Sequence, residues 1–337
     1  MEIRRVQLTG GSSYILTLPK EWINSLKIKK NTPLGIHMQS DGTLLITTKM
    51  MQEQLQRIIE FDTTQTTEPM FLLRRLIAAY IAGYTIIKIT SNKRIPETVH
   101  NVVRNFTQTA IGQEVIEETD TTITLKDLLN PIEMPFDRTI KRMHIIVKGM
   151  YEDTICAIQT KDEHLINDII QRDTDIDRLH WLVARQYNII LRNVSLAEKM
   201  NITNGTASTC FLISRIIERI CDHIVGIAEN TSALIKSEID DKIIKNIIIA
   251  SNHSLELFNR SIYSYFKKDI KNSNEIIEAV VKLEDQCKKI NTMILNQEGS
   301  IAVSIGYIVE SIKRISEYSQ DISETVINYL IGEEHKK

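Results

Sequence analysis

The sequence predicts a multidomain α+β protein with a small β domain, an α/β segment and a helical C-terminal region. In the first domain, short alternating apolar runs are broken by Gly and Pro, which is typical of strands and turns. From Asp137 onward Gly and Pro become rare, and apolar residues recur three and four positions apart, as they do in helices. The domains are expected at residues 1–50, 51–130, 131–236 and 237–337.

Length and composition are those of an ordinary soluble protein. The chain has 337 residues, of which 42% are hydrophobic and 25% charged, and its formal net charge is −2. This balance gives no overall nucleic-acid signal, so any basic patch would be local. The four cysteines form no C-x-x-C pair, which argues against a zinc finger and favours a reducing compartment. No apolar run has the length of a membrane span, and we expect a cytoplasmic protein without membrane insertion.

The first domain is expected to contain four short strands and one helix. Its seven Lys/Arg and three Asp/Glu give it a local net charge of +4, an excess of the kind that contact with nucleic-acid phosphates needs. A segment with so few large apolar residues is marginally stable alone, so we expect dimerisation. The strands are predicted at 3–8, 14–18, 35–38 and 44–48, and the helix at 20–26.

This pattern resembles the SpoVT/AbrB family. The resemblance depends on a basic first strand, a Gly-containing turn, the Leu-x-Leu-Pro-x-x-Trp stretch at 16–22 and a hairpin with Asp-Gly at its tip. It implies a dimeric barrel of swapped hairpins that binds DNA through Arg4, Arg5 and Lys20. Strand alternation makes Arg5 the more outward of the two arginines. Ile23 and Asn24 stand where well-known members carry arginines, so the barrel could instead serve dimerisation alone.

The segment 51–130 predicts the order β-α-β-α-β-β, with both helices on one face of a small sheet. Glu97 and His100 form a Glu-x-x-His motif, which is known from di-iron bundles. Because no second copy lies nearby in the sequence, a surface helix is the favoured interpretation. No P-loop, G-x-G-x-x-G or nucleophile elbow is present. Strands are expected at 57–61, 84–90, 114–118 and 122–125, and helices at 71–82 and 95–110.

Two pairs of carboxylates mark the helical region. Asp173 and Asp177 are four residues apart, as are Glu218 and Asp222, so each pair lies on one helix face beside aliphatic residues. Like charges there are unfavourable unless a cation neutralises them, so two facing pairs would form a site for hard or borderline metal ions. Solvated helix faces are the alternative. His223 is either an additional ligand or a hydrogen-bonded helix residue.

The stretch Glu218–Glu229 resembles the repeated signature of PhoU proteins, and Asp173 and Asp177 match an earlier helix signature of that family. The resemblance implies two tandem three-helix bundles and a role in phosphate uptake. It also implies metal ions, with iron and zinc as candidates and a multinuclear site as one arrangement, held in the first bundle by the two carboxylate pairs.

An internal repeat predicts two related helical halves. Glu218–Glu229 aligns with Lys313–Glu324 at an offset of 95 residues. Lys313 replaces Glu218, while Glu284 and Lys288 align with the first carboxylate pair. A lysine removes a ligand and repels cations, so we predict that the first bundle keeps a metal site and that the second has largely lost it. Six helices are expected, at 137–160, 162–192, 204–236, 239–268, 274–296 and 300–331.

The whole pattern resembles archaeal phosphate-uptake regulators. The predicted function is that of a homodimeric, DNA-binding transcription regulator of phosphate homeostasis. The alternative is an adaptor that docks on a phosphate transporter or signalling protein and uses its N-terminal domain only to dimerise. Metal storage or metal-dependent chemistry is a third hypothesis. Ferritin-like oxidases need paired Glu-x-x-His motifs, and no convincing Ser-His-Asp or Cys-His set is found, so a non-enzyme is expected.

Overall fold

A computed structural model describes residues 2–38, 42–48, 56–65, 68–297 and 299–334. The chain divides into two compact units, Met1–Leu55 and Gln56–Lys337. In the first unit Gly10 and Gly11, with φ of 62° and 79°, make the turn of the first hairpin. Its elements are β1 (Gln7–Thr9) antiparallel to β2 (Ser13–Ile15), α1 (Lys20–Ser25), and β3 (Gly35–Met38) antiparallel to β4 (Leu44–Thr47).

The described part of the first unit forms two separate hairpins, and the single chain does not close the predicted barrel. Its apolar side chains remain exposed, with Ile3 at 81%, Tyr14 at 78% and Met38 at 78% of their full accessibility. A barrel of swapped hairpins takes strands from two chains, so open hairpins in one chain are compatible with the predicted dimeric barrel.

The second unit begins with a four-stranded sheet in the order β5-β6-β8-β7. Strands β5 and β6 are parallel, and the other neighbours are antiparallel. The buried side chains of β5, β6 and β8 pack against α2 and α3 in one hydrophobic core, in the predicted element order. The elements are β5 (Ile58–Asp62), α2 (Pro69–Ile81), β6 (Ile86–Thr90), α3 (Glu97–Thr109), β7 (Gln113–Glu118) and β8 (Thr122–Asp127).

The helical region contains the six long helices that periodicity predicts and a short one, α6, that it does not. The side chain of Asn193 accepts the backbone N–H of Leu196 at 3.1 Å and so caps α6. Helix α9 starts four residues earlier than expected because Asp269 caps it by accepting from the N–H of Asn272. The helices are α4 (Phe136–Thr160), α5 (Glu163–Ile190), α6 (Val194–Lys199), α7 (Asn204–Ile235), α8 (Asp241–Lys267), α9 (Ile270–Met293) and α10 (Gly299–Glu334).

Helices α4, α5 and α7 pack together as the first half, and α8, α9 and α10 pack together as the second. Helix α7 also packs along α10, and α4 along α8, so one hydrophobic core runs through both halves. This arrangement agrees with two tandem three-helix bundles. Within the described ranges, no helix combines the length and the apolar character that crossing a membrane requires.

Helix α5 also holds the α/β segment. Arg178, Arg185 and Arg192 are seven residues apart, so they follow one face of α5 and its C-terminal extension. Arg185 forms a buried ion pair with Asp127, with Nε donating to Oδ2 at 3.0 Å. All three guanidiniums donate to backbone carbonyls of the α/β segment: Arg178 to Thr109 at 2.9 Å, Arg185 to Tyr80 at 2.5 Å and Arg192 to Ala82 at 2.8 Å.

Candidate metal centre and nucleic-acid interface

Helices α5 and α7 bring the four predicted carboxylates together, and we call Asp173, Asp177, Glu218 and Asp222 the first carboxylate cluster. Burial and repulsion from Asp173 and Asp222 raise the pKa of Asp177 to about 6. Burial and repulsion from Asp222 and Asp177, against the attraction of nearby arginines, raise the pKa of Glu218 to about 7. Burial and Asp173 raise the pKa of Asp222. The carboxylates of each helix therefore repel those of the other helix.

Glu218 is a largely buried point of the first carboxylate cluster at which a cation could act. Its side chain is 12% exposed, and Arg215 Nη1 donates to its Oε1 at 2.8 Å. The other oxygen, Oε2, is buried and has no hydrogen-bond partner. A buried carboxylate oxygen without a donor is costly, and a metal ion would relieve that cost. The donor set therefore fits a hard or borderline metal ion.

The side chains do not form a finished coordination sphere. Over the described residues, no group of three or more His, Cys, Asp or Glu side chains converges closely enough to hold a metal ion. The carboxylates of the first cluster are near enough to shift one another's pKa but not near enough to share one ion as they stand. Repulsion among like charges opposes that convergence until a cation is present.

The neighbours of Asp222 on α7 face other partners. His223 Nδ1 is hydrogen-bonded to Ser311 Oγ of α10 at 3.3 Å, and burial lowers the pKa of this imidazole. Cys221 Sγ donates to Met150 Sδ at 3.7 Å, and burial raises the pKa of this thiol. His223 thus has the role of a hydrogen-bonded residue between the two halves.

The second half places a lysine among its acidic residues, and we call Glu284, Glu310, Glu317 and Lys313 the second cluster. Lys313 Nζ lies 3.1 Å from Glu317 Oε1. The hydrogen bond to Glu317, and the charges of Glu317, Glu310 and Glu284, raise the pKa of Lys313. Arg314 adds a second cation, with Nη1 donating to Glu317 at 2.8 Å and Nε to Glu310 at 3.1 Å. Lys313 and Arg314 therefore supply positive charge to the acidic residues of the second cluster.

The second lysine of the repeat alignment lies outside this cluster. Lys288 is 72% exposed and pairs with Asp285 at 3.1 Å on its own helix. Of the two aligned lysines, Lys313 is therefore the one that lies among the glutamates of the second cluster.

The predicted DNA-binding residues Arg4, Arg5 and Lys20 are exposed in the first unit. Arg4 is already engaged, because it forms an ion pair with Glu2 and donates to Thr17 Oγ1 at 3.3 Å. Lys20 stands at the start of α1. Within the described part of the chain, Arg5 and Lys20 form no ion pair and leave their charges open to solvent.

Sequence reasoning missed one polar partner of the site, Arg215, and one buried ion pair elsewhere on α5. Arg215 stands three residues before Glu218, a spacing that places the two side chains on one helix face, and that spacing was the available signal. The pair of Arg185 and Asp127 joins residues that are 58 positions apart. The available signal for this contact was the seven-residue spacing of the arginines along α5, which places them on one helix face.

Two protein families match parts of the chain. Residues 140–231 match the PhoU domain, and this stretch includes every residue of the first carboxylate cluster. Residues 7–54 match the family described as antidote-toxin recognition MazE, bacterial antitoxin. That match includes Lys20 and begins after Arg4 and Arg5. The predicted resemblances to the PhoU domain and to an AbrB-like N-terminal domain are therefore supported over these two stretches of the chain.

Solved PhoU structures are similar to the helical region. PhoU from Pseudomonas aeruginosa has 14% sequence identity and a TM-score of 0.51, over 58% of this chain and 96% of that chain. The phosphate transport system regulatory protein PhoU from Streptococcus pneumoniae has 17% identity and a TM-score of 0.48, over 58% and 94% of the two chains. Comparison with curated proteins finds no match. The first similarity supports a PhoU-like fold for the helical region.

Proposed function

We propose that this protein regulates phosphate uptake, with a metal-binding PhoU module joined to a dimeric, DNA-binding N-terminal unit. The observation that carries the proposal is the PhoU-domain match over residues 140–231, because it contains both carboxylate pairs of the first cluster. Regulation of phosphate uptake is the role that the PhoU resemblance implies. The bundles would act as the regulatory module and the N-terminal unit as the output module.

The metal ion would be held by Asp173, Asp177, Glu218 and Asp222. Oxygen ligands suit hard and borderline ions, and iron and zinc are the candidates. Such an ion would supply the positive charge that Glu218 Oε2 lacks and would lower the raised pKa values of Asp177 and Glu218. Because the ligands come from both α5 and α7, the bound ion would fix these helices to each other.

The exposed apolar side chains of the first unit support dimerisation. Leu8, Tyr14, Ile36 and Leu44 are each more than half exposed. Full burial of an aliphatic or aromatic side chain contributes about 1.5–3 kcal/mol, so a second copy that covers these residues would stabilise both chains. A double variant, Leu8→Asp with Ile36→Asp, should shift the full chain from dimer to monomer in light scattering. A matched change in the bundle, Ile145→Asp, should leave the dimer intact.

DNA binding is tested with the full chain, a phosphate-transporter promoter fragment and unrelated DNA, at two salt concentrations. The test variants are Arg5→Ala/Lys20→Ala and Arg4→Ala/Arg5→Ala. A matched control, Lys245→Ala/Lys282→Ala, removes two exposed charges from the helical region. We expect promoter preference, weaker binding at high salt, and a salt slope that falls by about one for each phosphate contact removed.

An adaptor is the second candidate function, and the state of Arg4 favours it. Arg4 is paired with Glu2, and Ile23 and Asn24 stand where AbrB-like proteins carry arginines. In that case the chain would dimerise without promoter preference, and the alanine variants would bind DNA like the parent protein. Binding of the chain to a purified phosphate transporter or signalling protein, retained in the Arg5→Ala/Lys20→Ala variant, would then support the adaptor.

A further inference from the structure

Two guanidinium groups meet at the carboxyl end of α2. Arg57 precedes β5, and Arg192 lies two residues beyond α5. Both donate through Nη1 to the backbone carbonyl oxygen of Ala82, the C-cap residue of α2, and the distance from Arg192 is 2.8 Å. Sharing one acceptor atom holds the two cationic groups side by side, although 135 residues separate them in the chain.

The charge at this junction is unbalanced. A helix carboxyl end carries about half a negative charge, which offsets only a quarter of the two positive charges that Arg57 and Arg192 bring. Neither arginine forms an ion pair with a carboxylate in the part of the chain that the structure describes. Arg185, the third arginine there, is neutralised by Asp127. A local excess of positive charge therefore remains beside solvent.

The two arginines have donors to spare and are held in place. A guanidinium has five N–H donors, and the carbonyl of Ala82 uses one from each residue. Arg57 lies over the ring of Tyr84 with 4.3 Å to the centroid, while Arg192 is exposed. Gly83 has φ +82°, and a Cβ there would lie 2.9 Å from Ile189 Cγ1, so the junction of α2 and α5 is closely packed. Groups that are already positioned bind a ligand at lower entropic cost.

We propose that Arg57 and Arg192 form a binding site for a small tetrahedral oxyanion, inorganic phosphate. Planar guanidinium forks match phosphate oxygens with paired hydrogen bonds, and the anion would neutralise the excess charge. The choice of phosphate among oxyanions rests on the proposed role in phosphate regulation. Arg192 lies just beyond the C-terminal end of α5, and Asp173 and Asp177 lie on α5 itself, so the anion site and the metal site would be joined by this helix.

The test is equilibrium dialysis of the full chain, freed of metal by a chelator, against radiolabelled inorganic phosphate. We expect saturable binding, competition by sulfate, and at least tenfold weaker binding in Arg192→Gln and in Arg57→Gln. Arg142→Gln, which changes an exposed arginine of α4, should bind like the parent chain. Arg192 is exposed, so the Arg192→Gln variant should fold normally. If Arg57→Gln does not fold, the result for Arg192→Gln decides the test.

A second source of phosphate binding is a metal ion in the first carboxylate cluster. Binding that appears only after metal is added, and that Glu218→Gln/Asp222→Asn abolishes, would belong to the metal and would overturn the proposal. Absence of binding to the metal-free chain, or equal binding by the arginine variants and the parent, would overturn it as well. DNA binding and metal binding are measured separately, so the proposed regulatory function would survive such a result.

Discussion

The two helical halves are built from aligned helices but neutralise their acidic residues in different ways. In the first half, Glu218 keeps a buried oxygen without a partner, and its pKa is raised to about 7. In the second half Lys313 stands at the aligned position and lies 3.1 Å from Glu317. The first cluster has Arg215 beside Glu218 but leaves Glu218 Oε2 without a partner among the described residues, whereas Lys313 and Arg314 both pair with Glu317 in the second cluster.

The halves also differ in what their middle helix contacts. Helix α5 carries the first carboxylate pair and also docks on the α/β segment through Arg178, Arg185 and Arg192. Helix α9 packs on α8 and α10 within the second half. Among the described residues, α5 connects the candidate metal centre of the first half to the α/β segment, so we expect substitutions in the first half to have the larger effects on stability and metal affinity.

The largest expected effect on stability comes from Arg185→Met. It leaves Asp127, whose side chain is 7% exposed, as a buried charge without a partner. Removing one member of a buried ion pair costs about 3–5 kcal/mol, which should appear as a lower free energy of unfolding in urea. The double variant Asp127→Asn/Arg185→Met should lose less, because no charge is left behind. A loss below about 1 kcal/mol in the single variant would mean that the pair is solvated.

The second-largest expected effect is a loss of metal affinity in the first half. Glu218→Lys gives the first half the residue of the second, removing a ligand and adding a repelling charge. Affinity for zinc or iron(II), measured by calorimetry on metal-free protein, should fall by at least about 100-fold, the upper end of the range for removing a supporting residue at a metal site. Glu229→Lys, an exposed change on the same helix, is the matched control. Equal losses in both variants would point to net charge rather than to a site.

The reverse exchange, Lys313→Glu, should convert the second half toward the first. Without metal, the acidic residues Glu284, Glu310 and Glu317 lose the lysine, and unfolding should occur at a lower temperature, by an amount worth about 1 kcal/mol since the pair is partly exposed. Metal analysis after dialysis should show more bound metal than in the parent chain. Lys282→Glu is the control, and unchanged metal content would show that the second half lacks other requirements of a site.

The smallest expected effect is a pH dependence of the metal-free chain. The folded-state pKa values of Asp177 and Glu218 are about 6 and 7, above the ordinary values of 3.8 and 4.5. The folded state therefore holds more protons than the unfolded state between these limits, so their stabilising contribution is full at low pH and is lost as pH rises through 6 to 7. The melting temperature should fall across that window.

Asp177→Asn/Glu218→Gln should flatten that dependence, since it removes both titrating groups. Asp285→Asn changes an exposed acid of the second half and is the control that should leave the slope unchanged. A parent chain whose melting temperature rises between pH 5.5 and 8 would contradict the raised pKa values. Bound metal should also reduce the slope, because it replaces the protons of both carboxyl groups.

Much of the helical region could be predicted because helix formation depends on residues that are close together in the sequence. The three- and four-residue recurrence of Ile and Leu gave the six long helices, and the same spacing placed Asp173 beside Asp177 and Glu218 beside Asp222. The repeat at an offset of 95 residues identified Lys313 as the aligned residue of Glu218. These features depend on short stretches of chain, whose side chains share a face wherever the helix packs.

Other features were decided only by the tertiary structure. The barrel was expected from two chains, and the structure of one chain shows that, within its described residues, its two hairpins do not pair with each other. The pair of Arg185 with Asp127 and the meeting of Arg57 with Arg192 join residues 58 and 135 positions apart. No local pattern specifies such contacts. Burial and charge at these points depend on which distant segments pack together, and only the folded chain determines that.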